Sequence, residues 1–247
     1  MRVAALYDIH GNLPALEAVL EALRAEDIDR IVVGGDVFPG PMSRDVLARL
    51  RSLDIPAEFI RGNCETAVLN ERNGRDVALP EQVRETMRWY ARQIDAEEER
   101  FLAGWPLVRT LAIDGIGPVL FCHATPRDDN EIFTSATPAE RLAPAFANVT
   151  APLVVCGHTH MQFDRTIDAI RIVNAGSVGM PFGEPGAYWL RIGPGVELRR
   201  TPYDLAAAAE QIRATTYPQA DEFAARYVLD PPSASAMLEL CAGHELK

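Results

Sequence analysis

The stretch Val3-Ala-Ala-Leu-Tyr7, running straight into Asp8-Ile-His10-Gly-Asn12, decides how the chain is read. A short apolar run that ends on a carboxylate and an imidazole reads as a buried strand presenting polar side chains at its carboxyl end. The same juxtaposition recurs in Val32-Val-Gly-Gly-Asp36, Phe59-Ile-Arg-Gly-Asn63, Leu120-Phe-Cys-His123 and Val154-Val-Cys-Gly-His158-Thr-His160. In open α/β sheets ligands bind outside the carboxyl ends of the strands, so all five motifs are expected to gather at that edge.

Working outward, Leu13 to Arg24 and Arg44 to Leu53 read as helices between strands at Val3 to Tyr7, Arg30 to Val33 and Ala57 to Ile60, as in successive βαβ units. Val83, Met87, Tyr90 and Ile94 fall at helical spacing behind Pro80, which predicts a helical insertion over about 80–105. That stripe reads as core packing first and as a specificity lid second. Further strands are expected at Val108 to Ile113, Pro118 to Cys122, Leu153 to Cys156, Ile170 to Val173, Tyr188 to Ile192 and Val196 to Arg200, and helices over about 203–247. With no repeat and no linker-like stretch, one domain over 1–247 is expected.

The net charge of −11 and pI near 4.9 argue against long-range attraction to a nucleic acid or an anionic membrane. Any bound phosphate must be held by a local positive centre. The apolar run at Val3 is cut by Asp8, too short for a signal-peptide core or a membrane span, so a cytoplasmic location is expected. Cys64, Cys122, Cys156 and Cys241 form no C-x-x-C pair and read as reduced thiols.

The chemistry follows from the donor types. Carboxylate, amide oxygen and imidazole without obligatory thiolate suit divalent ions, Mn²⁺ first, with Fe, Ni, Co or Zn as alternatives. Two such ions carry four positive charges. Asp8, Asp36 and a bridging hydroxide offset three of them, leaving one for a phosphate group. In an extended backbone residues i and i+2 project to one side, so Asp8 with His10, and His158 with His160, are each expected to face one centre. Gly35, Gly62 and Gly157 before three of these residues, and Gly11 after His10, are read as sharp turns near an ion.

In order and spacing, Asp8-Ile-His10, Gly35-Asp36, Gly62-Asn63-Cys64-Glu65, His123 and Gly157-His158-Thr159-His160 resemble the calcineurin-like metallophosphoesterases. Their motifs read D-x-H, G-D, G-N-H-[DE], H and G-H-x-H. The likeness covers roughly residues 1 to 180 and includes Asn174-Ala-Gly-Ser177; Asp8-Ile-His-Gly-Asn12 and His123-Ala-Thr-Pro-Arg127 are similar to small prokaryotic phosphodiesterase-like and diadenosine-tetraphosphatase-like members. The resemblance implies an α/β fold (α+β by some schemes), a four-layer α-β-β-α sandwich with two mixed sheets. It also implies two ions, one on Asp8, His10, Asp36 and His160, the other on Asp36, Asn63, His123 and His158, with Asp36 shared.

The expected activity is hydrolysis of small phosphodiesters, phosphomonoesters or phosphoanhydrides by a metal-bridging hydroxide. Asp36, Asn63, Cys64 and His123 are the candidate catalytic residues. Cys64 stands where much of the family has a histidine that serves the leaving group, and a thiol is a poor general acid near neutrality; a preference for good leaving groups is therefore expected. Asn12 and Arg127 are candidate substrate contacts, each weighed against a turn or salt-bridge role. Arg61 carries the same two readings. Glu65 reads either as an orienting carboxylate or as the acid of a helix N-terminus, and His244 as a surface residue. The alternatives are a non-catalytic metal-binding scaffold and a nuclease using the same metals. The oligomeric state stays open, a homo-oligomer included.

Overall fold

The computed structural model describes residues 1–75 and 79–246. Its first half is a βαβαβ unit: β1 (Val3–Leu6), α1 (Leu13–Leu23), β2 (Arg30–Val33), α2 (Ser43–Arg51) and β3 (Ala57–Phe59). The three strands are parallel, with Val3 opposite Arg30 and Ile31 opposite Ala57. Two helices follow α3 (Asn63–Arg72): α4 (Glu81–Ala91) and α5 (Ala96–Ala103). The expected insertion thus divides at Asp95, which caps α5 by accepting from the amides of Glu97 and Glu98 while Glu98 reaches back to the Asp95 amide.

Strands dominate the remainder. β4 (Val108–Ile113), β5 (Gly117–Cys122), α6 (Ala139–Phe146), β6 (Leu153–Cys156), β7 (Phe163–Ile167) and β8 (Ile170–Asn174) precede β9 (Ala187–Ile192) and β10 (Val196–Thr201). The chain ends with α7 (Leu205–Arg213), a short α8 (Ala220–Phe223), a π-helical turn (Ala224–Leu229) and α9 (Ala234–Ala242). One mixed sheet runs β10-β9-β1-β2-β3 and the other β4-β5-β6-β8-β7.

Strand alternation assigns the layers. Val3, Ala5 and Tyr7 face Phe121, Leu153 and Val155 of the second sheet across one apolar layer. Ala4 and Leu6 point the other way, into a core shared with α1, α2, α4 and the C-terminal residues Ile212, Phe223 and Val228. Val154 and Cys156 pack outward against Leu142 and Phe146 of α6. This is the four-layer α-β-β-α sandwich, and it follows from a period of two applied to buried strands.

Three elements differ from expectation. β7 pairs antiparallel with β8 at the sheet edge; its run Phe163-Asp-Arg-Thr-Ile167 alternates, but only the two end residues are apolar. α3 begins at Asn63, a helix anticipated only through the reading of Glu65 as the acid of a helix N-terminus, and its buried residues Cys64, Glu65, Ala67, Val68 and Leu69 cover too much of its circumference to leave an amphipathic stripe. α6 carries Pro144 internally, a residue that argues against a helix on sequence alone. Among the described residues no helix is long and apolar enough to cross a membrane.

Tyr7 ties the two sheets together by donating its buried hydroxyl to the Val155 carbonyl at 3.1 Å. Tyr7→Phe is expected to keep the fold but lose about 1 kcal/mol, lowering the melting temperature by about 2–4 °C in thermal denaturation followed by circular dichroism.

Candidate metal centre

The five motifs end strands of both sheets rather than one. Asp8 and His10 follow β1, Asp36 follows β2 and Asn63 follows β3, whereas His123 follows β5 and His158 and His160 follow β6. The carboxyl ends of the two sheets lie side by side, and the loops close over that shared edge. Backbone bonds interlock them: the Asp8 amide donates to Gly35, the His10 amide to Asp36, the Gly11 amide to Val37, and the Gly179 amide to Asp8.

Asp8, His10, Asp36, His158 and His160 all have positive φ, between 44° and 67°. This corrects the extended geometry expected for the D-x-H and H-x-H pairs. Each ligand stands on its own left-handed bend, and the two histidines of the last motif separate. His160 joins Asp8 and His10, while His158 joins Asp36 and His123, and within each trio the donor atoms lie within 4.8 Å of one another. The glycines serve close approach more than turning: a Cβ on Gly62 would lie 2.2 Å from Asp36 Oδ1, and one on Gly157 would lie 2.5 Å from Asp8 Oδ2.

Asp36 stands between the trios. Its Oδ2 is 3.8 Å from His10 Nε2 and its Oδ1 is 3.5 Å from His123 Nε2. Asn63 Oδ1 lies 3.0 Å from His123 Nε2, and Asp8 Oδ1 lies 3.3 Å from His160 Nε2. All seven expected metal ligands are therefore brought together.

The donor set fits a cation pair. His10, His123 and His160 each donate Nδ1–H to a backbone carbonyl, those of Pro39, Gly34 and Met180, which turns every Nε2 inward. The Nε2 atoms of His10 and His160 then approach to 3.1 Å. Asp8 Oδ1 and His158 Nε2 are buried with no hydrogen-bond partner, the state expected of atoms shaped for an ion.

The electrostatics agree. Burial, with the neighbouring His160, holds His10 down at about 4, and burial, with His123, does the same to His158, so both are neutral donors at pH 7. Burial also acts to lower His123, but the Asp36 carboxylate outweighs it and raises the imidazole to about 10. Asp8 likewise outweighs burial at His160 and raises it. Raised that far, the His123 imidazole carries a proton that offsets the Asp36 charge, and a cation would replace that proton.

Glu65 fulfils both of its expected roles. Its carboxylate accepts the Gly62 amide at the start of α3, and it also accepts the amides of Asp36, Val37 and Phe38 at 2.8–3.2 Å. The backbone of Asp36 is thus fixed by a fully buried carboxylate, which burial and the nearby Asp36 charge lift to about 7 against the pull of those amides. Cys64 donates both its amide, at 3.0 Å, and its thiol, at 2.9 Å, to the Asp36 carboxylate. Burial and that carboxylate push the thiol well above its usual range.

The two substrate-contact candidates are placed otherwise. Asn12 is fully buried; it caps α1 by accepting the Ala15 amide, and it donates to the Gly179 carbonyl and the Tyr203 hydroxyl. Arg127 is paired with the Glu131 carboxylate through Nε at 2.9 and 3.0 Å. Arg61 is half-buried, with its Nε unpartnered. Ser177 was named only within its motif; its hydroxyl donates to the Asp8 carbonyl at 2.6 Å and so holds the first left-handed ligand.

The profile of the calcineurin-like phosphoesterase superfamily domain matches residues 1–191. The chain belongs to this superfamily. An uncharacterized protein of Methanocaldococcus jannaschii is 26% identical over 244 residues, covering 88% of this chain and 94% of that protein. A metallophosphoesterase from Sphaerobacter thermophilus superposes with a TM-score of 0.72 at 26% identity, over 94% of this chain and 99% of that one. A hypothetical protein from Pyrococcus horikoshii shares the fold with a TM-score of 0.74 at 19% identity, over the same shares of the two chains. In this calcineurin-like phosphoesterase, the matched region holds all seven donors and Glu65.

Two outcomes are expected. Glu65→Gln replaces an acceptor of four amides by a group that is half donor, and should weaken divalent-metal affinity by about 10–100-fold in calorimetric titration. Metal loading at pH 8 should release a proton from His123, because an imidazole raised to about 10 must deprotonate to ligate. Titration heats would then change with the ionisation enthalpy of the buffer; identical heats would contradict the assignment.

Proposed function

We propose that this chain is a phosphoesterase dependent on two divalent metal ions, acting on small phosphate esters or anhydrides. The observation that carries this reading is Asp36, which belongs to the trio with His123 and His158 while its Oδ2 lies 3.8 Å from His10 Nε2 of the other trio. Asp8, His10, Asp36 and His160 would hold one ion, and Asp36, Asn63, His123 and His158 the other, with Mn²⁺ ahead of Fe, Co, Ni and Zn on donor type. The pair, when bound, supplies Lewis-acid polarisation of the phosphoryl oxygens and an activated water.

The chain's own residues supply position. Glu65 and Cys64 hold the Asp36 carboxylate in one orientation, and the inward Nε2 atoms fix where a phosphoryl group can sit. Asn63 Nδ2 donates to Cys64 Sγ at 3.7 Å, and its second N–H can serve substrate once its oxygen is directed at a metal. Cys64 offers no accessible proton near neutrality, since its thiol hydrogen is directed at Asp36. Departure of the leaving group then depends on its own acidity, which favours anhydrides and aryl esters over alkyl monoesters. The net charge of −11 supports a small phosphorylated substrate over a nucleic acid, and a cytoplasmic setting belongs to the same reading. The full donor set speaks against a scaffold that has lost its chemistry.

Exhaustive chelation should abolish hydrolysis of bis-(4-nitrophenyl) phosphate, and Mn²⁺ should restore it. Asp36→Asn should lower kcat by about a hundredfold or more while shifting KM only severalfold. Undiminished turnover in protein shown by elemental analysis to be metal-free would sink the reading.

A further inference from the structure

A pocket of about 310 Å³ opens from the metal centre at His10 and Cys64. One wall is α4, through Val83, Thr86 and Met87; the other is the C-terminal segment, through Tyr217, Phe223 and Tyr227. The C-terminal wall lies beyond the residues 1–191 matched by the superfamily domain. We propose that this pocket is a subsite for a neutral, planar aromatic group, which makes the substrates phosphate esters of the aryl or nucleoside class. The inference deepens the phosphoesterase reading and rests on it.

Three observations carry it. First, the wall is built from rings already packed on one another: Tyr217 and Phe223 meet edge to face at 83° with centroids 6.4 Å apart, and Phe223 and Tyr227 are tilted at 60° with centroids 5.5 Å apart. Such a cluster offers ring edges and faces to a further ring, and the Met87 and Met180 thioethers opposite adapt to flat π surfaces. Second, Tyr227 sits within the π-helical turn Ala224–Leu229, directly after Phe223. The wider turn is a rare conformation that concentrates at functional sites, and here it lies in the segment that lines the pocket. Third, the described lining residues include no Lys or Arg, and the carboxylate among them, Glu222, is paired at 3.8 Å with Arg226, whose guanidinium lies over the Tyr227 ring. With that charge offset and the rest of this wall aromatic or neutral, an uncharged aromatic appendage on a single phosphoryl group fits. Gln219 and Glu222 are suited to the N–H groups of a base edge, while the rings and thioethers suit a plain aryl group equally.

Binding of benzylphosphonate, cyclohexylmethylphosphonate and ethylphosphonate to the Mn²⁺-loaded full chain, measured by calorimetry, tests the proposal apart from turnover. Benzylphosphonate should bind about tenfold or more tightly than ethylphosphonate, and more tightly than the cyclohexylmethyl compound. Tyr227→Ala should shrink the benzyl-to-ethyl ratio to about threefold or less, with Tyr227→Phe retaining it. Equal affinity for benzyl and ethyl, or for benzyl and cyclohexylmethyl, would overturn the aromatic subsite. An unchanged ratio in a folded Tyr227→Ala protein would overturn it as well. Adenosine 5′-phosphate binding more tightly than benzylphosphonate would support the subsite with nucleosides as the source, and the reverse order would support it with aryl esters. Acetyl phosphate and 4-nitrophenyl phosphate separate the two readings. If neither is hydrolysed while benzylphosphonate keeps its advantage, the catalytic reading fails and the subsite stands; if acetyl phosphate is hydrolysed while benzylphosphonate has no advantage, the subsite alone fails.

Discussion

Left-handed backbone at five of the seven presumptive ligands is the feature on which the centre depends, because it lets one short loop aim consecutive motif residues in different directions. Asp and His tolerate that region better than most residues, yet each such bend still costs roughly 1–2 kcal/mol. Together the five approach the whole stability of an ordinary domain, about 5–15 kcal/mol. They persist because the loops are over-determined: the amides of Asp8, His10 and Gly11 are bonded to the β2 loop, Ser177 and Gly179 grip the Asp8 carbonyl, and Glu65 gathers the amides of Asp36, Val37, Phe38 and Gly62.

Such rigidity brings groups together that would otherwise avoid each other. Two buried carboxylates and four imidazoles share the edge of two sheets, and Asp8 Oδ1 and His158 Nε2 are left without a hydrogen-bond partner. The raised His123 imidazole supplies positive charge beside Asp36. The carbonyls that hold the Nδ1 protons of His10, His123 and His160 determine which ring nitrogen faces inward. In this way the backbone of both sheets, rather than the ligands alone, sets the geometry of the site.

The same fold separates the strands that hold the donors from the segments that line the pocket. β1, β2, β3, β5 and β6 deliver the donors, all within the stretch shared with the superfamily. The far side of the cleft is built by α4 and by the residues after α7, which pack into the core through Met87, Tyr90 and Phe223 while turning their other surfaces toward the centre. A short insertion and a C-terminal extension can therefore reshape the neighbourhood of the metals without disturbing the loops that hold them.

Much of this was legible in the chain itself. Apolar runs ending in Asp, Asn or His locate the strands and the donors, since a strand's hydrophobicity and its terminal residue are both local properties. Other features are decided only by long-range packing. The assignment of β5 and β6 to a second sheet, the division of His158 and His160 between two trios, and the helix at Asn63 depend on partners far along the chain. Asn12 and Arg127 show the limit most plainly: either side chain can contact a phosphate or stay within the protein, and only the positions of Gly179, Tyr203 and Glu131 choose. Residue type and spacing determine which chemistry is available; the direction in which a side chain points is set by the tertiary structure, because φ at the ligands is imposed by bonds to other strands.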